Sequence, residues 1–532
     1  MRRFALLVAA LATAPAVLTA QYTVPASERP RLVVFVTVDQ LRPDYLDRWA
    51  PQFSGGLRRL ATKGSVFTNA VQDHAVTETA PGHAVTMSGR LPRSTGIVSN
   101  SAGVYDPQAP LLTSGDAPAS PFRFRGSVLL DWIRARDPSA RALSISRKDR
   151  GAILPLGRAK QSVFWYATSN GEFTTSRYYA DTLPAWVRAV NARRVPQRLA
   201  GQRWTLLLPP SAYPEPDDVA MENGGQDVTF PHTLSADSAR AASEMLATPW
   251  MDRLTLDAAL AGLEAMQLGR GPQTDILAVG LSGTDYVGHR YGPDSREQHD
   301  NVLRLDRALG AFIDSLYKLR DSSTIAFALT GDHGVTPFPE LVAQRANRPA
   351  PPRYDLRPAY ASLRADLRRA GVDTNAVMLD APLVSVDRTA FASAGVDPDP
   401  IMRRFARAAQ ALPGIARVDR VRDLAARHTV RDAVTRRWMH MIPSDSPVEY
   451  VITPREGAYP VGATIAEHGM PYDDDARVPV IFYGPWFRAA RFGERVFVAD
   501  MAPTLARVIG VPPTERLDGR VLMRALVPAG RP

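Results

Sequence analysis

Runs of consecutive apolar residues recur along the chain, and they constrain its fold more than any other feature. The clearest is RLVVFVTV at residues 31–38, which ends at Asp39. A strand that is apolar at successive positions is buried on both faces, which is typical of parallel sheets. The other predicted strands cover residues 65–70, 141–146, 162–166, 274–280, 324–330 and 478–483.

Helical periodicity separates these runs, notably at residues 53–63, 251–268, 295–319 and 501–509. Alternating strands and helices predict an α/β protein with a largely parallel central sheet and helices on both faces. Residues 101–250 and 340–455 interrupt the alternation. We interpret them as inserted cap or lid segments on one domain that spans residues 21–532.

The first twenty residues have the pattern of a secretory signal peptide. Arg2 and Arg3 precede an apolar stretch, and small residues after it allow cleavage behind Ala16 or Ala20. A membrane anchor is the alternative, but a span needs about 20 apolar residues and this stretch is shorter. We therefore expect a periplasmic or secreted protein without a stable membrane anchor. Removing residues 1–20, with two arginines and no acidic residue, lowers the net charge from +10 to +8.

The chain contains no cysteine. Disulfides, iron–sulfur clusters and thiol nucleophiles are therefore excluded, and a transition-metal site has to use histidine and carboxylate ligands. Although the chain is basic, its sequence has no basic cluster interleaved with aromatic residues. We therefore do not expect it to bind nucleic acid.

Possible metal ligands lie at the ends of several predicted strands. They are Asp39, Asp285 and His289 in LSGTDYVGHRYG, Asp332 and His333 in TGDHG, and His468 in AEHGMPYDDD. In open parallel sheets the carboxyl ends of the strands meet at one edge, and two zinc-like ions need about six protein ligands. Each motif alone also fits a turn, a helix cap or a solvated helix face. Their combination predicts a site for two metal ions.

A nucleophile is predicted in the segment TETAPGHA at residues 77–84. Thr79 would begin a helix, where unpaired N–H groups favour an anion, and Pro81 suits the first helical turn. The alternative is that Thr79 or Thr77 only caps the helix. A metal ion nearby favours the nucleophile, because coordination lowers the pKa of a hydroxyl group.

Five segments together resemble the alkaline phosphatase superfamily. They are VTVDQLRPDYL, TETAPGHA, GTDYVGHRYG, TGDHG and HGMPYDDDARVPVIFYG, and they occur in the expected order. The chain most resembles the nucleotide pyrophosphatase/phosphodiesterase-like branch, and within it the PafA-type phosphate-irrepressible alkaline phosphatases. The resemblance covers residues 39–519 and implies an alkaline-phosphatase-like fold.

The resemblance also implies two Zn²⁺ ions per subunit and Thr79 as the nucleophile, with a phosphothreonine intermediate. The two implied ligand sets are Asp285, His289 and His468 for one ion, and Asp39, Asp332, His333 and the Thr79 oxygen for the other. His83 resembles a family position that supports the loop and does not bind metal.

The substrate class is implied by Lys148 and Arg150 in SISRKDRGAILP and by Asn100. They resemble the Lys-x-Arg pair and the asparagine that monoesterases direct at phosphate oxygens. Cationic and amide donors opposite the metals suit the three charged oxygens of a monoester. Arg147 is an alternative to Arg150, and a solvated loop is an alternative role for the Lys148–Arg150 pair.

We therefore expect an exported phosphoric monoester hydrolase, an alkaline phosphatase that acts as a monomer on small phosphate monoesters. A phosphodiesterase or nucleotide pyrophosphatase with the same metals is the main alternative. A non-catalytic phosphate- or metal-binding protein is a further one. A sulfatase is disfavoured because the chain has no cysteine and has threonine at the nucleophile position.

Overall fold

The computed structural model describes residues 24–426 and 431–528. The predicted signal peptide at residues 1–20, with its possible cleavage sites after Ala16 and Ala20, lies outside the described residues. Among the helices that are described, none combines the length and the apolar character needed to span a membrane.

Strands of the described residues form three sheets. In chain order they are β1 Leu32–Val38, β2 Ser65–Val71, β3 Ala142–Ser146, β4 Ser162–Ala167, β5 Glu172–Thr174, β6 Arg203–Trp204, β7 His232–Thr233, β8 Asp275–Leu281, β9 Ile325–Thr330, β10 Val377–Asp380, β11 Leu383–Val386, β12 Ile415–Arg420, β13 Val448–Pro454, β14 Arg477–Tyr483 and β15 Ala490–Phe497. The seven strands expected from apolar runs are all present, with ends that differ by one residue at most.

The central sheet has the order β15-β2-β14-β9-β1-β8-β3-β4-β5 within the described residues. Its middle strands β9, β1, β8, β3 and β4 are parallel neighbours, whereas β14 and β5 run antiparallel to the strands they pair with. Strand β1 is buried at all seven positions, as expected for a strand covered on both faces. The predicted largely parallel α/β fold is confirmed.

Helices cover both faces of the central sheet. The α-helices are Tyr45–Arg48, Gly56–Lys63, Thr79–Thr86, Pro92–Thr95, Leu129–Arg136, Asp149–Ile153, Ala185–Ala192, Val195–Arg198, Ser238–Glu244, Pro249–Ala265, Gly283–Tyr291, Arg296–Leu319, Pro339–Arg345, Arg357–Arg369, Arg388–Ser393, Pro398–Gln410, Ala433–Met441, Asp473–Ala476 and Met501–Ile509. Alternate residues of β1 enter two different apolar clusters: Val33 and Phe35 pack on one face, and Val34 and Val36 on the other.

A second sheet, with the order β10-β11-β13-β12, lies in the later of the two interrupting stretches and has its own apolar cluster. The earlier stretch is of a different kind, because β3, β4 and β5 within it belong to the central sheet. The division of residues 21–532 into one catalytic domain with inserted cap or lid segments at 101–250 and 340–455 stays a prediction.

Candidate active site and metal centre

Four neighbouring strands of the central sheet deliver charged residues to one edge. Asp332 follows β9, Asp39 follows β1, the helix Gly283–Tyr291 follows β8, and Lys148 follows β3. Because these strands are parallel, their carboxyl ends lie side by side. Asp39, Asp332 and Lys148 are all at most 3% exposed, so this edge concentrates charge in a buried place.

Thr79 begins the helix Thr79–Thr86, which packs directly against this edge. A Cβ atom on Gly82 would come within 2.1 Å of the Asp332 carbonyl oxygen, so glycine allows the close approach. Thr79 is 1% exposed, and its Oγ1 accepts a hydrogen bond of 3.1 Å from Lys148 Nζ. The predicted nucleophile therefore lies at a helix N-terminus and beside the charged edge.

One group of possible metal ligands consists of Asp285, His289 and His468. His289 Nε2 lies 3.3 Å from Asp285 Oδ1, and His468 Nε2 lies 3.6 Å from the same oxygen. The two Nε2 atoms are 3.1 Å apart. Residues from the helix after β8 and from the loop before β14 thus converge on a volume small enough for one ion.

A second group consists of Asp39, Asp285 and His333. His333 Nε2 lies 3.3 Å from Asp39 Oδ1, and neither atom forms a hydrogen bond with any described residue. Asp332 Oδ2 is 3.7 Å from His333 Nε2. Buried polar atoms without partners are costly in a folded protein, and these are the atoms that a metal ion would bind.

All three imidazoles are held through their other ring nitrogen. The Nδ1 atoms of His289, His468 and His333 lie 2.5, 2.8 and 2.8 Å from the backbone carbonyl oxygens of Ala466, Thr77 and Gly334. A carbonyl oxygen can only accept, so Nδ1 donates its proton, and in the neutral imidazole Nε2 is then left with a lone pair. This arrangement orients and tunes histidine ligands in metal sites.

Lys148 balances the negative charge between the two groups of ligands. Its Nζ lies 2.6 Å from both Asp39 Oδ2 and Asp285 Oδ2. Burial opposes its charge, but the carboxylates of Asp285 and Asp39 outweigh burial and raise the pKa of Lys148. Burial likewise opposes ionisation of Asp285, yet Lys148 and His289 bring the pKa of Asp285 well below its usual range.

The pKa values of His333 and His468 shift in opposite directions. Burial opposes protonation of His333, but Asp332 and Asp39 raise its pKa to about 9. For His468 burial dominates, and the neighbouring His333 adds repulsion, so its pKa falls to about 3. A neutral His468 is the form that binds a metal ion.

Two of the three predicted substrate-binding residues contact the start of the Thr79 helix. Asn100 Oδ1 accepts a hydrogen bond of 2.9 Å from the N–H of Ala80, the residue after Thr79. Lys148 contacts Thr79 directly, and Arg150 lies two residues further along in the helix Asp149–Ile153. The guanidinium of Arg147, the alternative to Arg150, stacks on the Tyr286 ring at 4.4 Å.

Further residues support the ligands, and Gln40 among them is not apparent from the sequence. Gln40 adopts a positive φ of 62°, and it donates from its backbone N–H to Asp332 Oδ1 and from Nε2 to Asp285 Oδ1, at 3.1 and 3.0 Å. Its position directly after Asp39 is the only signal that could have found it. His83 Nδ1 lies 3.1 Å from Asp332 Oδ2, which agrees with a supporting role.

The loop that carries His468 is held by Asp475. Asp475 Oδ1 accepts from the Thr336 hydroxyl at 2.7 Å, and Oδ2 accepts from the N–H of Met470 at 2.8 Å. Burial raises the pKa of Asp475 to about 7. Asp475 is the third of three consecutive aspartates, and nothing in the sequence distinguishes it from the other two.

The chain is similar in sequence to one described family and to proteins named alkaline phosphatase. Residues 33–438 match a family described as type I phosphodiesterase / nucleotide pyrophosphatase. The chain is 31% identical over 533 residues to alkaline phosphatase PhoK of a Sphingomonas species, covering 93% of this chain and 91% of that protein. It is 28% identical over 515 residues to alkaline phosphatase PhoV of Synechococcus elongatus, covering 93% and 92%.

Among solved structures, the chain is similar to the crystal structure of wild-type alkaline phosphatase PafA. The TM-score is 0.87 at 26% sequence identity, and the match covers 95% of this chain and 100% of the PafA chain.

Proposed function

This chain belongs to the type I phosphodiesterase / nucleotide pyrophosphatase family, and within it we propose that the protein is an alkaline phosphatase that hydrolyses phosphate monoesters. The observation that carries the proposal is the position of Lys148, whose Nζ lies 3.1 Å from Thr79 Oγ1. A buried hydroxyl group beside a fixed cation and two groups of metal ligands is an arrangement that suits phosphoryl transfer. The whole-chain similarity to proteins named alkaline phosphatase supports the same conclusion.

Thr79 is the nucleophile in this proposal. Its Oγ1 forms a bond to phosphorus while the bond from phosphorus to the leaving alcohol oxygen breaks, which gives a phosphothreonine. Water then attacks this phosphothreonine and releases inorganic phosphate. Lys148 favours the ionised form of Thr79 because its ammonium group donates a hydrogen bond to Oγ1.

We propose two Zn²⁺ ions per subunit. The residues that would hold them are Asp285, His289 and His468 for one ion, and Asp39, Asp332, His333 and Thr79 for the other. The donor set of carboxylates and neutral imidazoles suits zinc, and buried His333 Nε2 and Asp39 Oδ1 lack hydrogen-bond partners among the described residues. When bound, such ions lower the pKa of a coordinated hydroxyl and offset negative charge on the transferring group.

Preference for monoesters would come from cationic and amide donors. A monoester dianion has three charged non-bridging oxygens, whereas a diester replaces one of them with an organic group. Lys148, Arg150 and the Asn100 amide would hold these oxygens. Lys148 is charged in this environment, since its neighbouring carboxylates raise its pKa.

Phosphodiesterase or nucleotide pyrophosphatase activity is the second candidate, and the description of the matching family favours it. The deciding experiment measures kcat/KM of the zinc-loaded protein on an aryl phosphate monoester and on the matched aryl diester. We expect the monoester to be the better substrate by several orders of magnitude. Equal or better turnover of the diester would replace the proposed function with the second candidate.

The remaining proposals concern the whole protein. We propose that it is exported to the periplasm or secreted after cleavage of its signal peptide. We further propose that it acts there as a monomer on small phosphate monoesters. The inserted segments would shape the side of the site that receives the leaving group.

A further inference from the structure

The loop that carries Asn100 is fixed on the side that faces Thr79. The backbone N–H of Asn100 donates a hydrogen bond of 2.6 Å to Glu78 Oε2. Asn100 Oδ1 accepts from the N–H of Ala80 at 2.9 Å. Because the carbonyl branch of the amide is held in this way, its Nδ2 branch is the one that remains for a substrate oxygen.

The same loop is held on its other side by Asp380. The Ser99 hydroxyl donates to Asp380 Oδ2 at 3.0 Å, and the Ser101 hydroxyl donates to the same oxygen. The two serine oxygens are 2.9 Å apart, and Ser99 is only 4% exposed. Both neighbours of Asn100 are therefore bound to a single carboxylate oxygen.

Asp380 does not belong to the central sheet. It is the last residue of β10 in the second sheet and pairs with Leu383 of β11. Leu383 packs in a buried cluster with Ala75 and Val76, and Val98 packs against that cluster. The end of the β10–β11 hairpin thus contacts both the loop before Thr79 and the loop that contains Asn100.

We infer that Asp380 is a positioning residue for catalysis, which holds Ser99 and Ser101 so that the Asn100 amide points toward the phosphoryl group. Hydrogen bonds from hydroxyls to a carboxylate are short and strong, and two of them restrict a three-residue segment. Small displacements of a group that binds the transferring phosphoryl have large effects on rate. The inference rests on the proposed function, because it takes Asn100 to contact substrate.

A double-mutant cycle tests the inference. We compare Asp380→Ala with the wild type, and Asn100→Ala/Asp380→Ala with Asn100→Ala, and measure kcat/KM on an aryl phosphate monoester. We expect Asp380→Ala to lower kcat/KM about 10-fold in the wild-type background and less than about 2-fold in the Asn100→Ala background. Equal losses in both backgrounds, or no loss in the wild-type background, would overturn the inference.

Two milder variants keep the test informative if Asp380→Ala fails to fold. Asp380→Asn retains an oxygen that accepts from both serines, so we expect it to recover most of the wild-type activity. Ser101→Ala removes one donor and leaves the second sheet unchanged, so we expect a partial loss, again only when Asn100 is present. The matched control is Met378→Ala, since Met378 lies on the same strand and is 61% exposed; we expect wild-type activity.

Failure of the proposed function gives a different result. In that case the wild-type protein itself prefers the diester. The same cycle is then run on the diester, and an Asp380 effect that does not depend on Asn100 would overturn the inference there as well.

Discussion

Charged residues are placed differently at the carboxyl edge of the central sheet and in the second sheet. At the edge, Asp39 and His333 are 1% and 0% exposed, and their facing atoms lack hydrogen-bond partners among the described residues. In the second sheet the interior is apolar, with Val384, Val386 and Ile452 in its buried cluster. Several of its charged residues pair at the rim instead.

The rim pairs of the second sheet are partly solvent-accessible. Arg388 is 52% exposed and lies 2.5 Å from Glu449, and Asp399 pairs with Arg420 at 2.7 Å. Exposed pairs contribute little to stability, whereas buried groups without partners cost stability. The charged residues at the carboxyl edge are therefore arranged for catalysis. The second sheet is held together mainly by apolar packing, and it contacts the site through the end of its β10–β11 hairpin.

The largest expected effect comes from Thr79, which lies beside the carboxyl edge of the central sheet. We expect Thr79→Ala to lower kcat on a phosphate monoester by a factor on the order of 10⁴, because the atom that attacks phosphorus is lost. Bound zinc, measured by elemental analysis, should remain near the wild-type amount. Substantial residual turnover would show that another group attacks phosphorus.

One aspartate from each region tests this difference directly. Asp285→Ala removes a carboxylate that belongs to both ligand groups, so we expect loss of bound metal and a fall in activity of about 100-fold or more. Asp399→Ala removes a carboxylate from the rim, and we expect normal metal content, normal activity and a stability loss within about 1 kcal/mol. Elemental analysis and thermal unfolding measure both. Similar metal contents in the two variants would show that the two regions do not differ in metal binding.

Substrate preference should depend on the cations beside Thr79. We expect the double variant Lys148→Ala/Arg150→Ala to reduce monoester kcat/KM by about 100-fold more than diester kcat/KM, because the diester has one charged oxygen fewer. Arg147→Ala is the matched control, since its guanidinium stacks on Tyr286; we expect only a small, equal change for both esters. Equal losses on both esters in the double variant would favour the diesterase.

A smaller effect is expected from Glu222, a buried acid outside both regions. Burial and the neighbouring Glu297 raise its pKa from 4.5 to about 9. The folded state therefore binds a proton more tightly than the unfolded state, and this contribution to stability falls progressively as pH rises from about 4.5 to about 9.

Denaturant unfolding at pH 6 and pH 9 measures this effect. Glu222→Gln cannot ionise, so we expect it to lose at least about 1 kcal/mol less stability than the wild type over this interval. Parallel pH profiles for the two proteins would show that Glu222 ionises normally.

Much of the central sheet could be predicted because strand and helix periods are local properties of the chain. The helix at Met501–Ile509 has the predicted bounds, and the predicted helix at 251–268 is observed at Pro249–Ala265. The second sheet was not predicted, because its strands lie in a stretch where neither periodicity persists, and two of them have only four residues. Supporting contacts such as Gln40 to Asp285 join residues 245 positions apart, and no local pattern encodes them.

By itself, the sequence determined which side chains are available and where along the chain they follow strands: Asp39, Asp332 and His333 stand directly behind apolar runs. The tertiary structure was needed to show how those strand ends are ordered across the sheet. It also showed that Lys148 contacts Thr79 and that Asp380 binds the loop of Asn100. The reason is the distance along the chain over which each effect acts. Periodicity acts between neighbours, whereas the contacts that form a site depend on how whole sheets pack against one another.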